Sequence, residues 1–394
     1  MKYTGLFLAA CVAIFTSSSD AASLIRSNSG KPIPGSYIVV LKDGKNVSDF
    51  VPKFENIARR QNGRGRKSTI SAQYKSLRAF SATVNQAALK EILASDDVDF
   101  VEEDQIITID ALQQNNAPSW GLPRVSQRRR QFSAPYIYQN QAGSGVTAYV
   151  LDTGINTAHV DFGGRATMGA NFINGSPNTD ENGHGTHVAG TIGGSRFGVA
   201  KKVRLVGVKV LSGQGSGSFS GIIAGMDWVA QRARGTKAVV NMSLGGGKSQ
   251  SIDQAVSRLY RAGVPVIVAA GNDARADACN GSPSGAQDGF TVGATDINDR
   301  IAQFSSWGRC VDIFGPGVNI ASTWIGSSTA TNTISGTSMA TPHVAGVAAL
   351  LLSSDPSLTT PQAVYDKLKQ TATNNVVIGS LRGSPNRMLF NSAV

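Results

Sequence analysis

The first hydrophobic block, Gly5–Phe15, follows Lys2 and gives way to small residues at Ala21 and Ala22. It is too short to cross a bilayer. It has the charged, apolar and small-residue regions of a secretory signal, so residues 1–21 are expected to be removed on export. The alternative is an N-terminal helix buried in the fold. No later segment is apolar enough to span a membrane, so the expected product is exported, extracellular and soluble.

From about residue 22 to 110 the period of the apolar positions switches repeatedly. The stretch Pro34–Asp43 reads as a strand. Val47–Gln61 places Phe50, Phe54 and Ile57 on one helical face, with Pro52 in the first turn, where a missing N–H is tolerated. Ala79–Asn85 alternates as a strand, Gln86–Ser95 reads as a short helix, and Asp97–Ile109 as a closing strand. The order β-α-β-β-α-β predicts a ferredoxin-like α+β unit. It contains no histidine and no constellation that could do chemistry.

Beyond residue 111 the texture changes to strands that are apolar throughout. Candidates are Gly145–Gly154, Val203–Leu211, Ala238–Gly247, Val264–Asp273, Gly289–Asp296 and Cys310–Gly317. Between them lie helical patterns such as Gly221–Arg234 and Ser251–Gly263. Strands without a polar face, alternating with helices, predict a doubly wound, mostly parallel sheet covered on both sides. Functional groups in such sheets gather at the carboxyl ends of the strands, and Asp152, Ser243 and Asn272 fall there.

Composition fits this picture: 44 glycines and 16 % charged residues suit a closely packed globular protein. Net charge is +11, divided unevenly. Residues 1–110 carry 14 Lys and Arg against 12 Asp and Glu; the remainder carries 23 against 14. The basic residues are scattered and no nucleic-acid motif accompanies them, so they read as solvated surface, with neither nucleic acid nor membrane as partner. Cys11 lies in the leader, which leaves Cys279 and Cys310 as an even pair in an oxidising compartment. They are either bridged, with a loop-entropy gain of roughly 3–4 kcal/mol, or two buried thiols.

All four histidines lie after residue 111. His184 and His187 could be read as a metal pair on one helix face, but no third ligand has a fitting spacing. A histidine acting as a base needs a group to activate and a carboxylate to fix its tautomer. Asp152 ends an apolar strand. Ser338 lies near the start of a helix, where free N–H groups favour developing negative charge. Taken singly, these could be a turn aspartate and a capping serine.

Together they follow the chain order Asp…His…Ser. The segments "YVLDTGI" (Tyr149–Ile155), "NGHGTHVAGTI" (Asn182–Ile192) and "SGTSMATPHVAG" (Ser335–Gly346) each closely resemble an active-site block of the subtilases. "GVAKKV", "GVKVL", "MSLGGG" and "STWIG" further resemble the proteinase K-like branch of secreted fungal enzymes. The first module resembles the subtilisin propeptide, an inhibitor and folding aid.

The resemblance implies an exported, broad, apolar-leaning serine endopeptidase made as a zymogen. It would be a monomer acting on proteins and peptides, with its own propeptide (residues 22–110) as inhibitor and 111–394 as the peptidase domain. Ser338 would be the nucleophile, His184 the base, Asp152 its partner and Asn272 the oxyanion donor. Gly215 on one edge and Ser243, Leu244 and Gly245 on the other would bind substrate. Ala269 and Gly271 would line the primary pocket, and Phe219 would flank a more distant one. No cofactor is needed for the chemistry. A structural calcium is implied, held by carbonyls near Gln287 and Gly289 with the Asp312 carboxylate. The loop bearing those carbonyls has an insertion and altered residues. The cysteine pair resembles one in vacuolar fungal subtilases. Among four sequons, Asn174 and Asn280 are the candidates for glycans, whereas Asn241 falls in a predicted buried strand. Two rivals remain: a metallohydrolase built on His184 and His187, and a binding protein that keeps the scaffold without the activity.

Overall fold

The computed structural model describes residues 21–26, 31–61, 67–108, 112–113, 119–130 and 135–392. The leader lies outside these residues except for its last position, and the proposed junction at Asp110–Ala111 lies outside them too.

In the first module the strands run in the order Ser23–Ile25, Val98–Thr108, Lys31–Leu41, Ala79–Thr83 and Thr69–Tyr74. Helices Val47–Gln61 and Gln86–Leu93 cover one face and bury Phe50, Phe54, Leu89 and Ile92 in a core of the module's own. The strand Thr69–Tyr74 completes the predicted unit. Half of it is exposed, so no apolar pattern marks it in the sequence.

In the second module one sheet has the order Thr373–Asn374, Arg387–Met388, Ile313–Pro316, Phe290–Thr295, Val266–Ala269, Ala238–Met242, Thr147–Asp152, Arg204–Lys209 and Ala166–Asn171. Every pairing is parallel except the terminal Thr373–Asn374 with Arg387–Met388. The uniformly apolar strands divide their side chains between two cores. Ala148, Val150, Val239 and Ile267 face a cluster with helices His184–Gly193 and Thr337–Ser354. Tyr149, Leu151, Val240 and Val268 face another with helices Phe219–Ala233 and Gln250–Arg261. Burial on both faces removes any polar alternation, since each side chain is worth roughly 1.5–3 kcal/mol only if it is covered.

The modules share a boundary. Tyr74, Leu77, Ala79 and Phe100 join the apolar cluster around helices Phe219–Ala233 and Gln250–Arg261. Thr108, Ile107 and Ile106 pair antiparallel with Ser216, Gly217 and Ser218. Two carboxylates from the same face of strand Val98–Thr108 reach the starts of those helices. Glu102 Oε2 accepts the Ser251 N–H at 2.6 Å and the Ser251 hydroxyl. Asp104 accepts the Ser220 N–H at 2.9 Å and the Ser36 hydroxyl at 3.0 Å. Each satisfies donors that a helix leaves free in its first turn. Burial pushes both carboxyls up, against the pull of these donors.

Candidate active site

Asp152 ends its strand at the sheet's carboxyl edge, fully buried. Strand Ala238–Met242 pairs with that strand and Val266–Ala269 pairs in turn with Ala238–Met242, all parallel, which brings Ser243 and Asn272 to the same edge. Two helices begin there. His184 opens the helix His184–Gly193 after Gly183, whose φ of 103° favours glycine and where a Cβ would come within 2.4 Å of the Trp324 ring. Ser338 lies in the first turn of Thr337–Ser354, and the preceding Gly336 offers no side-chain cap. That helix is buried all round from Thr337 to Leu352, so its open end is an internal feature.

His184 Nδ1 lies 2.7 Å from Asp152 Oδ1, and both side chains are buried. Asp152 Oδ1 also accepts the Thr153 N–H at 2.8 Å. The Ser338 hydroxyl donates to the Ser243 carbonyl at 3.1 Å, and the Ser243 hydroxyl donates back to the Ser338 carbonyl at 2.8 Å. His184 Nε2 is buried without a hydrogen-bond partner among the described residues. The acid and base are thus paired, whereas the serine hydroxyl is turned toward Ser243.

Asn272 Oδ1 accepts both the Thr337 N–H at 2.8 Å and the Thr337 hydroxyl at 2.9 Å. This fixes which end of the amide is the acceptor and makes its NH₂ the donor end. Thr337 carries no signal in the sequence beyond standing before Ser338.

His187 does not join His184. Its Nε2–H donates to the Ile320 carbonyl at 2.9 Å, and its ring packs edge-on against Trp324 at 6.1 Å. Burial holds its pKa down to about 3. His343 Nδ1 faces the Met339 carbonyl at 2.8 Å, and burial holds it down to about 4. Both are neutral core histidines, and the metal-pair arrangement is not assembled.

The expected binding edges lie beside this group. Gly215 sits in a turn closed by its own N–H to Ser212 O and by Ser212 N–H to Ser216 O, and leads into the Ser216–Ser218 edge. Ser243 and Leu244 are buried, and Gly245 leads to Gly246–Gly247, which pairs with Gly281–Ser282. Ala269 ends its strand and Gly271 has a φ of 103°. Phe219 is fully buried at the start of its helix, in the cluster that also holds Phe100 of the first module. Cys279 and Cys310 form a disulfide, with Cα atoms 5.3 Å apart.

The calcium ligand set does not fit as expected. Asp312 Oδ1 pairs with the Lys369 ammonium at 2.8 Å, and Oδ2 accepts the Thr291 N–H at 2.9 Å. A lysine therefore already neutralises the carboxylate that would have faced the Gln287 and Gly289 carbonyls. No group of three His, Cys, Asp or Glu among the described residues could hold a metal ion. Asn174 and Asn280 are exposed, whereas Asn241 is buried and donates to Ser243 Oγ.

Residues 143–386 match the model of the subtilase family, and residues 36–110 match that of the peptidase inhibitor I9 family. The chain belongs to the subtilase family. A cuticle-degrading serine protease of Arthrobotrys oligospora is 43 % identical over 93 % of each chain. Alkaline protease 1 of Aspergillus clavatus is 43 % identical over 92 % of each. The crystal structure of a cold-adapted subtilisin-like serine proteinase is 49 % identical, covering 71 % of this chain and 99 % of its own, with a TM-score of 0.65. The protein is therefore a subtilisin-like serine endopeptidase, and its inhibitor module marks it as a zymogen.

Proposed function

We propose that the chain is exported by its leader, residues 1–21, and cleaved near Asp110–Ala111 into an inhibitory propeptide, 22–110, and a monomeric extracellular peptidase, 111–394. The observation that carries the peptidase assignment is the meeting of the Asp152–His184 pair, Ser338 and the oriented Asn272 amide at one sheet edge.

In this mechanism Ser338 Oγ turns from the Ser243 carbonyl to His184 Nε2, the unpartnered buried nitrogen. It attacks the peptide carbonyl as His184 takes its proton, and Asp152 stabilises the resulting imidazolium. The carbonyl oxygen, now an anion, accepts from the Asn272 NH₂ and the Ser338 N–H. The C–N bond breaks as His184 returns the proton to the leaving amine. Water then attacks the acyl-enzyme with His184 again as base, releasing the acid and restoring Ser338.

Substrate would bind as a strand between Gly215–Ser218 and Ser243–Gly247. Support comes from the propeptide's own chain. Thr108 pairs with Ser216 on one side, and Leu112 pairs with Ser335 on the other, three residues before Ser338. The proposed junction is bracketed by these two fixed points. Ala269 and Ala270 carry only methyl side chains, which supports an apolar-leaning primary pocket. Phe219 would bound a further pocket once the propeptide leaves, and glycans would sit on Asn174 and Asn280.

Labelling by an active-site phosphonylating reagent should map to Ser338 by peptide mass spectrometry. Ser338→Ala should secrete as uncleaved precursor without peptidase activity. Normal processing and activity of that variant in a host lacking related proteases would refute the assignment.

A further inference from the structure

Among the described residues Asp180 hydrogen-bonds to Thr153, Asn182, Gly183 and Thr186, not to the His184 or Asp152 side chains, and none of the roles above uses it. It is nonetheless buried, 6 % exposed, and its carboxylate is ringed by five donors. Oδ1 accepts the Thr153 hydroxyl at 2.8 Å and the N–H groups of Asn182 and Gly183, both at 2.9 Å. Oδ2 accepts the N–H of Thr186 at 2.9 Å and its hydroxyl at 2.6 Å.

Two of these bonds reach the segments that bear the acid and the base. Thr153 follows Asp152, and its hydroxyl, while donating to Asp180, accepts the Gly185 N–H at 2.9 Å. Gly185 follows His184. Thr186, while donating to Asp180, accepts the Asn156 N–H at 2.9 Å. The approach is close enough that a Cβ on Gly185 would lie 2.2 Å from the Gly154 carbonyl oxygen. A second buried ion supports the same loop from behind: the Lys209 ammonium donates to the Thr153 carbonyl at 2.7 Å and to the Leu211 carbonyl at 3.1 Å. The Asp152 loop and the first turn of the His184 helix therefore meet through hydrogen bonds that converge on one carboxylate.

We propose that Asp180 is a positioning residue for peptide hydrolysis, holding the Asp152–Asn156 loop against the Gly183–Thr186 turn so that the His184 imidazole stays aligned for proton transfer. This rests on the assignment of Asp152 and His184 in the proposed function. The physical reason is the acceptor count. A carboxylate offers about four lone-pair sites on two acceptor oxygens to these five donors, more acceptor capacity than any neutral side chain of that size. Asp180→Asn replaces one oxygen with an NH₂ group that faces donors, so at least one of the two crossing bonds is lost. Misplacement of a catalytic group by about an ångström costs on the order of 10²-fold in rate, and loss of a supporting partner about 10–100-fold.

The test is the kcat of mature enzyme per phosphonylation-titrated active site, with KM measured on the same peptide. Asp180→Asn should lower kcat per site about 10–100-fold and leave KM within about threefold. Thr153→Val, which keeps the shape but loses the relaying hydroxyl, should give a loss in the same range. Thr153→Ser should restore most of the wild-type kcat. Combining Asp180→Asn with Thr153→Val should cost little more than the worse single change, because both cut one network. If Asp180→Asn fails to mature, the Thr153 pair decides. A kcat per site within about twofold of wild type for Asp180→Asn, or for Thr153→Val where the first cannot be made, would overturn the proposal. So would additive losses in the double variant. His184→Ala is the separate control: if it kept activity, the assignment of the base would fall, whatever the Asp180 result.

Discussion

Truncating Glu102 should release the propeptide. The side chain is fully buried at the boundary between the modules, and one oxygen carries both the N–H and the hydroxyl of Ser251 at the start of helix Gln250–Arg261. Glu102→Ala removes the charge and leaves the Ser251 N–H buried without its acceptor. Losing one partner of a buried, hydrogen-bonded charge at an interface costs about 2–5 kcal/mol, or roughly 30-fold to several-thousand-fold in Ki. Glu102→Gln keeps an acceptor and loses only the charge assistance, which is worth about 1 kcal/mol, or roughly fivefold. The module's own fold should survive both changes. Glu102 faces the peptidase, whereas its neighbour Val101 points into the propeptide core. The assay is titration of mature enzyme with purified propeptide, residues 22–110, in wild-type and variant forms, with circular dichroism to compare their folds. A Glu102→Ala propeptide that inhibits within about threefold of wild type would refute the reasoning. The capping contacts would then be incidental, and the tail pairing at Ser216–Ser218 would carry the affinity.

Asn272→Ala should lower kcat about 10²–10³-fold with little change in KM, because the amide meets charge that exists only in the transition state; that magnitude is borrowed from a measured subtilisin case, and a loss wholly in KM would make Asn272 a ground-state binder. Acidification should destabilise the fold through His187 and His343. Their folded pKa values, about 3 and about 4, lie below the unfolded value of about 6.5, so their contribution is fully present above that pH and is lost as pH falls through 6.5 toward 4 and 3. Each should contribute about 2 kcal/mol of loss by pH 5. Unfolding of phosphonylated enzyme at pH 8, 7, 6 and 5 measures this, and His343→Gln should flatten the slope. Stability unchanged across that range would show that the two rings are not held neutral.

Much of the fold is written locally. The spacing of Phe50, Phe54 and Ile57 marks the helix Val47–Gln61, although Pro52 lies inside it and not in its first turn, and the unbroken apolar strands announce a sheet covered on both faces, because periodicity is a property of neighbouring residues. Strand Ala166–Asn171 at the edge of the sheet is missed for the opposite reason: half-buried Gly, Ala and Asn carry no period. Asp152, His184, Ser338 and Asn272 stand out in the sequence because three of them sit in short blocks of recognisable pattern and all four lie at or just beyond element ends. What those blocks do not encode is who touches whom. That Thr337 orients Asn272, that Lys369 takes up Asp312, and that Asp180 reaches Thr153 are outcomes of chain segments meeting across long sequence separations. A lysine and an aspartate are read in sequence as solvated charges until packing removes the water. Only then must each find its partner, and the tertiary fold decides which one is within reach.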